Sequence, residues 1–507
     1  MVRPLLAIVL LAAFQGAAVA QPAPPAPADD AHAKPARTAD ASSPERHLPA
    51  DSVTHHTLPL PGGRTLSFTA TAGAIRLTDD EGKPQAELAV IAYQLDGADK
   101  RARPVTFAMN GGPGAASGWL QLGAMGPWRL PMSGDALRPS APPVLVDNAE
   151  TWLDFTDLVF IDPAGTGYSR LANESEGLRR RFWSVNGDID TLSDAIRRWL
   201  LANDRLQSPK FFAGESYGGF RGPRLARALA TDHGVGLSGL VLISPVLDFG
   251  LSSNAFDPFS LVAHLPSMAA AAHGLDAAHL APVEDYATGE YLHDLLQGQR
   301  DPAVLDRVSA RVADLTGLDP ALVRRRHGRI GAGLFLRERG VAAGQVGSNY
   351  DATLTEADPF PESNFPNYPD PTFALLATPV AAAMVGLVND LLHWRPEGSY
   401  DLSNDRIARE WDWGRGRGRP DAVDALRTAL AIDPLFRVLV GHGLYDLVTP
   451  YLGSKLQLAQ IPDYPPGGRL LLALHPGGHM FYTRDDQRAA LHDEARALVT
   501  QGAPPQE

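Results

Sequence analysis

Three short apolar runs that do not alternate constrain the fold of this chain more than any other feature. They are "DLVFIDPAG" at 157–165, "KFFAGES" at 210–216 and "GLVLISPVLD" at 239–248. Successive side chains of a strand point to opposite faces, so a continuous apolar run needs cover on both sides. Helical patterns at 189–203 and 223–230 separate such runs. Buried strands divided by helices predict an α/β architecture with a mostly parallel sheet. Ahead of them, residues 53–110 alternate with Gly and Asp punctuation, as in "RTLSFTATAGAIRLTDDEG" and "AELAVIAYQLDG". That rhythm predicts antiparallel strands leading into the sheet.

From 251 to 420 the strand runs stop, and Ala, Leu, Arg and Pro dominate, with helical patterning at 302–315. Strand runs return in "LFRVLVGHG" at 435–443 and "RLLLALHPGGH" at 469–479. The expectation is one α/β domain, 51–250 with 421–500, split by a mostly helical cap insertion at 251–420. The apolar stretch 373–388 is shorter than the roughly 20 residues of a spanning helix. Thr378-Pro379 also interrupts it, so it reads as a buried helix and no stable membrane insertion is expected.

The N-terminus carries Arg3, a short apolar core from Leu5 to Phe14 and the small-residue ending Ala18-Val19-Ala20. This is the layout of a secretory signal peptide over 1–20, so a periplasmic or secreted protein is expected. Residues 21–50 are Pro/Ala-rich, with no large apolar residue before Leu48, and read as a disordered linker. Cysteine is absent, which excludes disulfides, thiolate metal sites and a lipid anchor on cysteine. A net charge of −13 argues against nucleic acid as a partner. The short basic runs at 179–181, 324–326 and 414–420 read as solvated surface or loop.

Gly214-Glu215-Ser216-Tyr217-Gly218 fits G-x-S-x-G between an apolar strand and a helix-compatible stretch, the context of a nucleophile elbow. A serine hydroxyl needs a base to take its proton and a third group to orient that base. Downstream, Asp446 follows one returning strand by a short turn and His479 lies in the glycine-rich loop after the next. His475 is a rival base, Asp248 a rival acid, and His442 a neighbour of the Asp446 loop. In "NGGPGAASG", at 110–118, the glycines can turn backbone N–H groups toward one point, which a developing oxyanion requires. Gly234 to Gly239 matches G-x-G-x-x-G, but it precedes a strand where a dinucleotide site must follow one, so it is a loop. No metal or cofactor is implied.

Together "NGGPG", "GESYGG", "GLYDLVTP" and "GGHM", with "DLVFIDPAGTGYSR" and Pro223, resemble the serine carboxypeptidases of the α/β-hydrolase fold. The resemblance covers roughly 55–250 and 425–490, and the variants "LGAMGP" and "GTGYSR" look like its bacterial branch. It implies Ser216 as nucleophile, His479 as general base and then acid, and Asp446 as its orienter. It further implies oxyanion donation by the N–H groups of Gly112 and Tyr217, and a clamp of Asn110, Gly111 and Glu215 on the free C-terminal carboxylate of a peptide substrate. A protonated Glu215 can donate to that carboxylate and an ionised one repels it, so activity is expected to favour acidic pH. Two positions depart from the family pattern. Ala115 stands where eukaryotic members have a cysteine, and "QLGAMGP" from Gln121 lacks a second acidic residue. An esterase or acyltransferase using the same three residues is the alternative expectation.

Overall fold

The computed structural model describes residues 48–132, 138–250, 257–363, 368–414 and 420–501. The expected signal peptide, nearly all of the expected linker and most of the basic run at 414–420 lie outside the described residues. Leu48, near the end of that linker, is buried, and its N–H donates to Glu87.

Three strands open the chain: β1 (Ser52–Pro59), β2 (Thr65–Thr78) and β3 (Pro84–Leu95). They pair antiparallel in sequence order, as their alternation requires. Next come β4 (Val105–Met109), β5 (Asp157–Ile161), β6 (Lys210–Glu215), β7 (Gly239–Ile243), β8 (Arg437–Gly443) and β9 (Leu470–His475). Among the described residues they complete a ten-stranded sheet of order β1-β2-β3-β5-β4-β6-β7-β8-β9, with Arg170–Leu171 paired onto β3. From β5 to β9 every pairing is parallel, and β3 joins that set antiparallel.

The unalternating runs are explained by cover on both faces. Val241 and Ile243 of β7 enter one apolar core, and Leu240 and Leu242 enter the other. Phe211 and Phe212 of β6 divide in the same way. Each such side chain contributes about 1.5–3 kcal/mol on burial. Helices α1 (Val185–Ala202) and α2 (Tyr217–His233) supply part of that cover.

The segment between β7 and β8 includes α3 (Pro258–His273), α4 (Pro302–Thr316) and α5 (Pro371–Gly386). It is mostly helical but contains a hairpin absent from the sequence expectation, Gln345–Gly347 paired with Thr355–Ala357. Three-residue strands are too short to leave a periodic signal. The apolar stretch at 373–388 lies in a helix that runs on to Leu391, with Pro379 inside it. By length and composition Pro371–Leu391 could cross a membrane, yet half of its most apolar window is buried within the fold. Leu376, Val380, Met384 and Val388 pack into the core.

A third apolar core joins α3 and α4 to Leu444, Tyr445 and Leu447 of the loop after β8. It also includes Tyr451 and Leu452 of α7, once α6 (Val423–Ile432) and α7 (Tyr451–Leu458) are counted after the insertion. The chain closes with α8 (Asp485–Gln501).

Candidate active site

Parallel register brings five loops to one edge of the sheet. Met109 pairs with Gly214, Glu215 with Ile243, Ile243 with Gly441 and Gly443 with His475. The segments carrying Asn110, Ser216, Ser244, Asp446 and His479 therefore all leave from the carboxyl ends of their strands, where ligands gather in α/β sheets.

Ser216 stands between the last residue of β6 and the first of α2, at φ 58° and ψ −119°. A positive φ is costly for a residue with a Cβ and persists only where its surroundings enforce it. Here its N–H donates to the Ile243 carbonyl (2.9 Å), and its own carbonyl accepts from Gly219 (2.9 Å) and Val246 (3.2 Å). The pattern's glycines permit close approach. A Cβ on Gly214 would lie 2.2 Å from the Gly218 oxygen, and one on Gly218 would lie 2.5 Å from the Met109 oxygen.

The loop at 110–112 is pressed against this turn. A Cβ on Gly111 would lie 2.4 Å from the Tyr217 nitrogen, and Gly112 has φ 101°. Arg221, fully buried and paired with Asp188 (2.7 Å), donates to the Asn110 carbonyl (2.5 Å) and ties α2 to the loop. The Asn110 side chain accepts from the Leu120 N–H (2.9 Å) and donates to Glu215 Oε2 (3.0 Å).

Glu215 is 5% exposed and also accepts from the Tyr482 hydroxyl (2.5 Å). Burial pushes its carboxyl up to about 7, against the pull of His479, Tyr482 and Asn110. At mildly acidic pH this is a neutral acid next to Ser216.

Asp446 is fully buried. It accepts from Val448 N–H (2.7 Å), Thr449 N–H (3.0 Å) and the Thr449 hydroxyl (2.6 Å). His479 Nδ1 lies 2.8 Å from Asp446 Oδ2. An ionised carboxylate only accepts, so the ring proton sits on Nδ1 and Nε2 keeps its lone pair. Burial pushes the imidazole pKa down, but the charge and hydrogen bond of Asp446, with help from Glu215, outweigh it and the net shift is upward. The His479 carbonyl accepts from the Ser244 hydroxyl (2.8 Å), and its N–H donates to the Tyr350 carbonyl (2.5 Å). Ser244 follows Ile243, the residue that binds Ser216, so one turn braces both.

The rival residues have other partners. His475 stacks on Phe481, with ring centroids 4.2 Å apart, and its Nδ1 faces Gln487 of α8 (3.2 Å). Asp248 accepts from Gly250 N–H (2.6 Å) within its own turn. His442 is fully buried, and burial drives its pKa down to about 4 against the pull of Asp446.

Sequence reasoning missed Thr449, Ser244, Tyr482 and Tyr350. A side chain that bonds back to an aspartate three residues earlier, as Thr449 does, is a recognisable turn pattern. Tyr350 sits in an irregular stretch of the insertion and carried no signal. A cavity of about 560 Å³ opens between the insertion and the sheet, walled by Pro245, Val246, Leu261, Ile330, Val448 and Thr449 among others. Ser216, Gly112 and Glu215 are not among its described walls, so it flanks the Asp446 loop. No group of three or more metal-ligating side chains occurs among the described residues.

Residues 90–277 match the family model described as serine carboxypeptidase. The chain is 28% identical over 209 residues to "Serine carboxypeptidase-like 42" of Arabidopsis thaliana, covering 39% of this chain and 40% of that protein. It is 30% identical over 168 residues to the pheromone-processing carboxypeptidase KEX1 of Verticillium alfalfae, covering 30% of this chain and 23% of the relative. The matched region thus spans less than half the length of these curated relatives. Among solved structures, the prohormone-processing carboxypeptidase KEX1(delta)p of Saccharomyces cerevisiae superposes with a TM-score of 0.53 at 16% identity, over 85% of this chain and 90% of that one. The fold is that of the α/β-hydrolases. Over 90–277, which holds the 110–118 loop and the Ser216 turn but not the segments carrying Asp446 and His479, the chain is similar to the serine carboxypeptidase family.

Proposed function

We propose that this protein is a serine-type carboxypeptidase that removes C-terminal residues from peptides through an acyl-enzyme. His479 Nε2 takes the proton of Ser216 Oγ as the oxygen attacks the scissile carbonyl carbon. The resulting oxyanion is held by the N–H groups of Gly112 and Tyr217. The imidazolium, stabilised by Asp446, then gives its proton to the leaving nitrogen, the C–N bond breaks, and the C-terminal amino acid departs. Water, deprotonated by His479, attacks the acyl-Ser216 ester, and the proton returns to Ser216 as the ester breaks. Asn110, Gly111 and Glu215 receive the substrate's terminal carboxylate.

The observation that carries this reading is the buried carboxyl of Glu215, bonded to Asn110 and Tyr482 and titrating near 7, directly before Ser216. A neutral acid there can donate to a carboxylate, which an esterase substrate does not present. The reading is tested with a blocked dipeptide, its C-terminal amide and a matched simple ester. A carboxypeptidase cleaves the free acid with the highest kcat/KM at pH below 7. Equal rates on acid and amide favour the esterase or acyltransferase reading, and a Ser216→Ala variant that still cleaves all three removes both. We further read residues 251–420 as a cap over the site. Residues 1–20 we read as an export signal, for which a mature N-terminus after Ala20 is the expected finding by N-terminal sequencing.

A further inference from the structure

The segment 348–353 of the insertion reaches both loops that carry Asp446 and His479. Asp370, the N-cap of α5, anchors it by accepting from the Ser348 hydroxyl (2.7 Å) and the Asn349 N–H (2.7 Å). The Asn349 carbonyl accepts from Leu447 N–H (3.0 Å), and Ala352 N–H donates to the Tyr445 carbonyl (2.9 Å). Asp446 is thus gripped on both sides. The Tyr350 carbonyl takes the N–H of His479, and Gly478 makes room for it, since a Cβ there would lie 1.9 Å from that oxygen. The Tyr350 ring meets the His479 imidazole edge to face, centroids 5.3 Å apart at 88°. It also packs on Phe373 of α5, centroids 4.7 Å apart.

We propose that Tyr350 is a positioning residue for His479, supplied by the helical insertion and not by the hydrolase domain. Its ring, held against Phe373, fixes the tilt of the imidazole and keeps water from it. This rests on the carboxypeptidase reading, since a base needs aiming only if Ser216 attacks. The contacts of Nδ1 with Asp446 (2.8 Å) and the Thr449 hydroxyl (3.1 Å) hold one end of the imidazole, and the Tyr350 ring bears on its face. Misplacing a catalytic group by about 1 Å can cost on the order of 10²-fold in rate.

The charged and titratable groups acting on the imidazole are Asp446 and Glu215, with His442 beside them. Tyr350 adds no charge, because burial and the carboxylates of Asp370, Glu215 and Asp446 keep its phenol neutral. Removing its ring therefore frees the tilt of the imidazole and, as far as the imidazole's titration is concerned, acts only through water access. Water returning to His479 relieves the burial that pushes its pKa down, so the acid limb of activity moves to higher pH.

The experiment uses the full chain with Tyr350→Leu, which retains most of the volume, and Tyr350→Phe. The rate of fluorophosphonate labelling of Ser216 is followed against pH, beside kcat and KM for a blocked dipeptide. For Tyr350→Leu we expect labelling and kcat to fall about tenfold or more, KM to stay within about threefold, and the acid limb to rise in pH. Tyr350→Phe restores most of the rate and the original limb. Phe373→Leu, which frees the far side of the ring, gives a smaller shift in the same direction and serves as the readout should the leucine variant not fold. Wild-type labelling with an unchanged rate and acid limb in the leucine variant overturns the positioning role while the carboxypeptidase reading stands. A loss confined to KM also overturns it. Failure of the wild type to label at all removes the carboxypeptidase reading and this proposal together.

Discussion

Glu215 and His479 are one coupled titration, because each is within reach of the other's charge. On the carboxypeptidase reading we propose, Glu215 works protonated and His479 neutral, so kcat/KM is expected to be bell-shaped, with the alkaline limb near 7 belonging to Glu215. Glu215→Gln removes that limb. It also lowers the acid limb, since the carboxylate no longer favours the imidazolium. Tyr482→Phe moves the alkaline limb without removing it. The lost hydrogen bond had favoured the ionised form, so the alkaline limb moves up in pH. A pH–rate profile of the two variants beside wild type checks both signs. An alkaline limb that survives in Glu215→Gln assigns it to another group.

At the scale of elements, the site depends on two backbone turns packed closer than side chains allow. The elbow after β6 and the loop after β4 meet where Gly111 faces the Tyr217 nitrogen. Gly111→Ala must push them apart, and the N–H groups of Gly112 and Tyr217 that we propose as oxyanion donors would then lose their alignment. Loss of one such donor costs about 10²–10³ in kcat, so kcat of Gly111→Ala is expected to fall by that order. Substrate binding should change less, and steady-state kinetics on the blocked dipeptide separates the two. The motif glycines were legible in the sequence because close approach demands glycine. Arg221, which joins α2 to the same loop through Asp188 and Asn110, was not, because a buried ion pair has no local pattern.

For the whole molecule, two buried groups couple stability to pH with opposite signs. His442 titrates at about 4 when folded, against 6.5 as a free side chain. Its contribution is present in full above 6.5 and is lost as pH falls toward 4. Glu215 titrates at about 7 against 4.5, so its contribution is present in full below 4.5 and is lost as pH rises toward 7. Each amounts to about 3 kcal/mol, and between 4.5 and 6.5 their opposite pH dependences largely cancel. His442→Leu should keep its melting temperature better than wild type as pH drops from 6.5 to 4, and Glu215→Gln better as pH climbs from 4.5 to 7. Thermal melts across both windows test this. Parallel wild-type and variant curves would remove either group from the account.

The sequence by itself determined most of the sheet's strands and the elbow, because each is written within about a dozen neighbouring positions. Buried parallel strands need unbroken apolar runs, and tight approach needs glycine, whatever the rest of the chain does. Which histidine meets which aspartate was left to the tertiary structure. The register of β8 and β9 carries His479 to Asp446 and leaves His475 stacked on Phe481. Tyr350 reaches His479 from the insertion and Tyr482 reaches Glu215 across the sheet edge. Contacts made between residues more than a hundred positions apart carry no periodicity, and packing alone selects them.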